Sequence, residues 1–169
     1  MSPSAYAKAC SIEKRGTPAV FKFLKWKYDK VVKITGKRRQ TFGDYYIELN
    51  GKDYAIEVKH ETKNIHKNLF IETWSNRHRK QGWLYMSKAN ILLYHFIEDG
   101  EIYMIPIGAL RNWAYKPGHL DAYEEKEQVK YEQKNITCGR PVPIDVLIKE
   151  AGMRKYIMGE DGNWQGELF

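Results

Sequence analysis

The stretch GDYYIELNGKDYAIEVKHE, from Gly43 to Glu61, decides how the rest of the chain is read. Asn50-Gly51 is the strongest short hairpin signal, because both residues tolerate the positive φ of a tight two-residue turn. Alternating runs flank it, Asp44–Leu49 before and Tyr54–Lys59 after, so the pattern predicts two antiparallel strands. Side chains on a strand alternate faces. Tyr54, Ile56 and Val58 then share a core face, while Ala55, Glu57 and Lys59 share the other. Pairing around the turn makes opposed residue numbers sum to about 101, which sets Asp44 across from Glu57.

Two like charges directly opposed destabilise a sheet. A divalent cation is the simplest compensation, and Mg²⁺ is commonly held by one or two carboxylates, waters and a substrate phosphate. The Lys59 amine, two residues from Glu57 on the same face, reaches the same place. There it can orient or help deprotonate an attacking water, or neutralise charge that builds on a phosphate. The plain alternative is a surface salt-bridge cluster in which Lys59 pairs with both acids.

Outward from the hairpin, Thr17-Pro18 offers a helix start, and the spacing predicts a helix over Pro18–Tyr28 after a short N-terminal helical segment. Val31–Thr35 reads as a strand, and GKRRQTFG, residues 36–43, as a basic loop. Leu69–Thr73 reads as a third strand, and Asn76–Ala89 as a basic loop followed by a short helix. The continuous apolar run Ile91–Phe96 predicts a strand buried on both faces. The turn Asp99-Gly100 leads to a further strand at Glu101–Pro106, and Ile107–Tyr115 has helical spacing.

Beyond residue 116 the charged segment DAYEEKEQVKYEQK predicts a mobile excursion or a solvent-facing segment. Pro141–Gly152 reads as a strand leading into a helix capped by Gly152, and the chain from Gly159 on as poorly anchored, with Trp164 and Phe169 able to dock. Helix, strands, then helices predict a single α/β domain over 1–169 around one central mixed sheet, with its core at about 11–115 and a C-terminal extension at 116–169.

A net charge of +7 with 14% aromatic residues suits nucleic acid, since cations neutralise phosphates and rings stack on bases. Cys10 and Cys138 stand alone, without the spacing of a zinc site or a disulfide framework. No signal-like or membrane-length apolar run is present, so a reduced, cytoplasmic protein is expected. Basic segments frame the acidic pair: Lys37, Arg38 and Arg39 before it, and Arg77, Arg79 and Lys80 after the third strand. Residues 59–67 leave the Lys59 strand directly. A positive groove with a negative centre is what a metal-dependent nuclease requires. His60, His66 and His78 lack zinc spacing and read as phosphate contacts or ordinary surface residues.

Gly43-Asp44, with Glu57-Val58-Lys59 on the next strand, resembles the PD-(D/E)XK nuclease superfamily. The resemblance implies a restriction-endonuclease-like αβββαβ core and Mg²⁺-dependent phosphodiester hydrolysis, with Mn²⁺ able to substitute. It implies Asp44, Glu57 and the Val58 carbonyl as metal ligands and Lys59 as the residue that positions the attacking water. Glu13 matches the acid that many members carry on the N-terminal helix. The usual Pro before the first acid is replaced by Gly43. Residues 82–94 resemble the segment that follows the catalytic strand in phage-type and restriction-type members, with Asn90 in place of an acid. Lys88 reads as a phosphate contact or a solvent lysine, and Glu72 as an auxiliary acid or a structural partner.

The expected function is thus a DNA endonuclease acting as a homodimer on duplex or branched DNA, with a Holliday-junction-resolvase-like enzyme favoured by the small size. A phage nuclease that degrades DNA, acting in the host cytoplasm, or a restriction- or homing-type endonuclease are alternatives. So are an enzyme acting on RNA and a non-catalytic nucleic-acid-binding protein.

Overall fold

In the computed structural model, which describes residues 5–77, 79–130 and 135–166, helix α1 (Ala5–Lys27) leads into strand β1 (Val31–Lys33) and helix α2 (Lys37–Phe42). The hairpin follows as β2 (Tyr45–Leu49) and β3 (Lys52–Glu61). Asn50 and Gly51 both take positive φ, 53° and 73°, and Tyr45 pairs Ile56 while Ile47 pairs Tyr54, the register expected around that turn.

The chain continues through β4 (Asn68–Asn76), β5 (Lys80–Gln81) and the single turn α3 (Trp83–Met86), and then through β6 (Ile91–Phe96), β7 (Glu101–Pro106) and α4 (Ile107–Ala114). A 3-10 turn at Leu120–Ala122 precedes β8 (Lys126–Lys130), β9 (Asn135–Pro143), α5 (Ile144–Ala151), β10 (Arg154–Met158) and β11 (Trp164–Gly166).

The fold is α/β with a mixed sheet of seven strands, ordered β1-β2-β3-β6-β7-β10-β11. Its one parallel pair joins β3 to β6, with Glu57 beside Leu92 and Lys59 beside Tyr94. The expectation of one central sheet is corrected, because β5, β4, β9 and β8 form a second, antiparallel sheet. Leu69 and Ile71 on β4, with Val142 on β9, bury their apolar sides against α4, α5 and the seven-stranded sheet. A separate layer is what lets both faces of β6 be covered. Leu93 packs towards α1 with Val20 and Phe23, whereas Leu92 and Tyr94 pack towards the second sheet.

Three local expectations are also corrected. Helix α1 does not begin at Pro18 but runs through it. The Thr17 hydroxyl donates to the Glu13 carbonyl (2.7 Å), and Gly16 lies directly on the His60 ring, where any Cβ would clash. The basic segment 36–43 is helix α2, turned in and out of the path by Gly36 and Gly43 at φ 66° and 109°. The charged segment after 116 is solvent-facing, one of the two alternatives expected: its described residues 121–128 are mostly exposed, and β8 pairs β9. The described residues from Gly159 to Gly166 are anchored rather than loose: Trp164 docks, as expected, buried on Phe23 with ring centroids 5.1 Å apart, and β11 pairs β10. Gly152 caps α5 in the left-handed region, as expected. His78 and Phe169 lie outside the described residues. No helix among the described residues is long and apolar enough to cross a membrane.

Candidate active site

Asp44 stands just before β2, where the chain leaves the regular ladder. Its backbone N–H donates to the Ile56 carbonyl (2.7 Å) and its own carbonyl accepts from Ile34 N–H (2.8 Å). Its carboxylate bridges two further donors, taking Val58 N–H on Oδ2 (2.8 Å) and Arg39 Nε on Oδ1 (2.7 Å). Asp44 is thus stitched between β1, β3 and α2 rather than standing as a plain cross-strand neighbour of Glu57.

Gly43 makes this possible. A Cβ there would lie 2.6 Å from the Ile56 carbonyl oxygen, and φ is 109°. Proline is confined to φ near −65° and could not adopt that conformation, which is the physical reason that Gly precedes the acid here.

Glu57 and Lys59 share a face of β3, as strand alternation requires, and pair directly (Nζ to Oε1, 2.7 Å). The Glu57 and Asp44 side chains are each 16% exposed, withdrawn from bulk water but open to the cleft. Val58 N–H points towards Asp44, and in a strand the carbonyl of a residue lies on the same side as its N–H, so the Val58 carbonyl is directed there too.

A second counter-charge comes from α2. Arg39 reaches Glu13 on α1 with its terminal nitrogen as well as Asp44 with Nε, so one guanidinium bridges two acids from separate elements. Burial works against that charge, but the hydrogen bonds to Asp44 and Glu13 outweigh it and hold the guanidinium above its ordinary range. Beneath, His60 Nδ1 lies 3.1 Å from His95 Nδ1. Burial lowers both histidines below the usual value, His95 to about 4.

One open cleft of about 1180 Å³ takes in Glu13, Arg39, Asp44, Glu57, Val58 and Lys59. Its far wall carries Glu72, Lys80 and Lys88. Glu72 accepts from the backbone N–H of Trp83 (3.3 Å), so it anchors the start of α3 while facing the cleft. Asn90 is a splice: its side-chain oxygen takes Ala55 N–H (2.8 Å) and its own N–H donates to the Ala55 carbonyl (2.8 Å), extending the β3–β6 seam.

Lys37 and Arg38 sit on α2, and Arg79 on the turn before β5, all exposed and outside the cleft lining. Arg77 is held by Glu127 on β8 and by Glu125 just before it. His66 is exposed.

The paired Glu13–Arg39 contact was not legible in the sequence, because residues 26 apart on two helices carry no common spacing signal. Among the described residues, no three His, Cys, Asp or Glu side chains converge as a ready-made metal cage. Comparison with protein families, curated proteins and solved structures returns no match.

Proposed function

We propose that the protein is a Mg²⁺-dependent nuclease of the PD-(D/E)XK type, cutting phosphodiester bonds of DNA in the cleft beside β3. One observation carries the reading: Asp44, Glu57, Lys59 and the Val58 backbone, spread over 16 residues of sequence, line one cleft together with Glu13. The order α1–β1–β2–β3–α3–β6 supports it, being the αβββαβ arrangement that the family resemblance implies, with α2 inserted between β1 and β2 and with β4 and β5 inserted before α3.

The residues fit a divalent cation. Hard oxygen donors from Asp44, Glu57 and the Val58 carbonyl suit Mg²⁺, which takes few protein ligands and keeps several waters. Two cationic side chains already neutralise the acids, Arg39 on Asp44 and Glu13, and Lys59 on Glu57, so the positions attract positive charge. When bound, Mg²⁺ supplies Lewis-acid stabilisation of the charge on the phosphate.

The chain's own residues do the rest. Lys59, with three donors and no lone pair when charged, cannot be a ligand; it orients the attacking water and steadies developing negative charge. Arg39, which pairs with Asp44 and Glu13, would be placed to meet two phosphate oxygens with its bidentate fork if a cation took over those acids. Lys80 and Lys88 on the far wall hold flanking phosphates.

The ion pairs also favour a second reading, a non-catalytic nucleic-acid-binding protein in which Arg39 and Lys59 permanently silence the acids. Cleavage assays in Mg²⁺ on supercoiled, linear, single-stranded and four-way-junction DNA and on RNA separate the two. Cleavage of at least one DNA substrate is expected, and its loss in Asp44→Asn and Glu57→Gln with unchanged circular dichroism. Binding without cleavage, or full activity in either variant, overturns the nuclease assignment.

A further inference from the structure

A pair of exposed tyrosines stands at the rim of the cleft and plays no part in the core. Tyr85 on α3 and Tyr115 at the end of α4 are 39% and 57% exposed, with rings nearly parallel, 5° apart in plane and 6.1 Å between centroids. Two large rings stacked side by side present a flat aromatic surface to solvent, and aromatic side chains of this kind are what unpaired bases stack on. Their position is fixed from behind. Arg111 of α4 donates to the Leu84 carbonyl (2.7 Å) and the Ser87 carbonyl (2.7 Å), tying the α3 turn to α4. The residue after Tyr85, Met86, is 55% exposed and lines the cleft, as do Ser87 and Lys88. The aromatic pair therefore adjoins, through Met86–Lys88, the segment that lines the cleft together with Glu57 and Lys59. The charged side chains that act on Tyr85 are Arg140 and, more weakly, Glu125.

We infer that Tyr85 and Tyr115 form a stacking platform for unpaired bases of the nucleic-acid strand whose phosphates occupy the cleft. This rests on the nuclease reading for the identity of the polymer and adds the substrate class: DNA with a single-stranded or splayed segment next to the bond to be cut. A fully paired duplex keeps its bases stacked on one another and offers no ring face to a flat aromatic surface. Single-stranded recognition works in the opposite way, through aromatic side chains beside a positive groove. Charge selects this occupant over an apolar protein segment: Lys88 lines the cleft three residues after Tyr85, and Arg140 acts on the Tyr85 ring more strongly than Glu125 does.

The test uses the full-length protein in Ca²⁺, with two fluorescent DNAs of equal phosphate count, a blunt duplex and the same duplex bearing a short single-stranded tail with 2-aminopurine. The variant Tyr85→Leu/Tyr115→Leu keeps apolar bulk and removes the rings, and Tyr85→Trp/Tyr115→Trp restores stacking. The wild type should bind the tailed DNA more tightly and quench 2-aminopurine. The leucine variant should lose roughly tenfold in affinity for the tailed DNA, the size of a lost base–aromatic stack. It should lose the quench and leave blunt-duplex binding unchanged, and the tryptophan variant should recover both. Equal binding of the tailed DNA by wild type and leucine variant overturns the platform alone. An equal loss on both DNAs, or quenching that persists without the rings, does so as well. Failure of the wild type to bind any DNA or RNA overturns the nuclease reading and the platform with it. Cleavage that requires Asp44 and Glu57 but is indifferent to the tail leaves the nuclease reading standing and removes the platform.

Discussion

At the scale of single residues, Asp44 is a structural acceptor as well as a proposed ligand. Replacing it by Ala strips partners from the Val58 N–H and the Arg39 guanidinium. Asp44→Ala should therefore lower stability by about 1–3 kcal/mol, the cost of leaving such donors unpaired, whereas Asp44→Asn keeps an acceptor and should cost less. Urea unfolding of the two variants checks this; an Ala variant as stable as wild type would mean that these bonds contribute nothing. Lys59→Ala separates catalysis from packing: cleavage should fall roughly 10²-fold or more while DNA affinity in Ca²⁺ stays nearly intact. A lowered melting temperature with an unchanged rate would reduce Lys59 to a salt-bridge partner of Glu57.

His95 sets a pH dependence. Burial, reinforced by His60, takes its pKa from 6.5 down to about 4, so the unfolded chain gains the proton first as pH falls. Stability is whole above about pH 6.5 and drains away as pH drops towards 4. The effect is at most about 3 kcal/mol at about 1.4 kcal/mol per unit. Unfolding curves between pH 7 and 4.5 should show that slope, reduced in His95→Gln; identical slopes would acquit His95.

Among the elements, the link from α2 into β2 is the most constrained. Gly43 combines a positive φ with a backbone approach that leaves no room for a side chain. Gly43→Ala should cost about 1–3 kcal/mol through strain and displace Asp44 from Val58, so activity should fall further than stability alone explains. Activity measured well below the melting transition makes the distinction, and a stable, fully active Gly43→Ala would show that the turn relaxes freely. Helix α2 illustrates what a short element adds. Its six residues include no fully buried side chain, Phe42 alone packing partly against the core, yet bracketed by Gly36 and Gly43 they carry Arg39 back over Asp44 and Glu13. Helix α1 does the reciprocal work, since Gly16 brings it down onto His60 and sets Glu13 at the cleft.

For the whole molecule, the chain after Tyr115 is woven into the core. Strand β10 pairs β7 at the side of the large sheet, β11 adds to it, and β9 pairs β4 along its length. Buried Leu147 and Met153 come from this part, as does Trp164 against Phe23. A protein ending at Tyr115 would expose those apolar faces and leave β7 and β4 with unpaired edges. It should fail to fold cooperatively, with no sigmoidal urea transition and rapid proteolysis. A cooperative transition in that fragment would show that the first 115 residues hold together without the rest.

Local chemistry made the hairpin legible. Asn50-Gly51 tolerates positive φ, so the turn, the register Tyr45–Ile56 and the shared face of Glu57 and Lys59 follow from neighbours in the chain alone. The same holds for Ile91–Phe96 and Glu101–Pro106, whose apolar runs and intervening Asp99-Gly100 turn mark both strands. The second sheet was not legible, because alternation on β4 shows that one face is buried but not which sheet the strand joins. That is decided by distant partners on β9, some 70 residues away along the chain. Residues 36–43 look like a loop because their charges dominate, and only the two glycines and the acids waiting on α1 and Asp44 give the helix its place. The sequence by itself therefore determined the turn, the strands and the acids at the hairpin, all set by interactions within a few residues. Only tertiary structure decided that Arg39 joins Glu13 to Asp44 and that Tyr85 meets Tyr115, because those contacts depend on elements packed together from far apart.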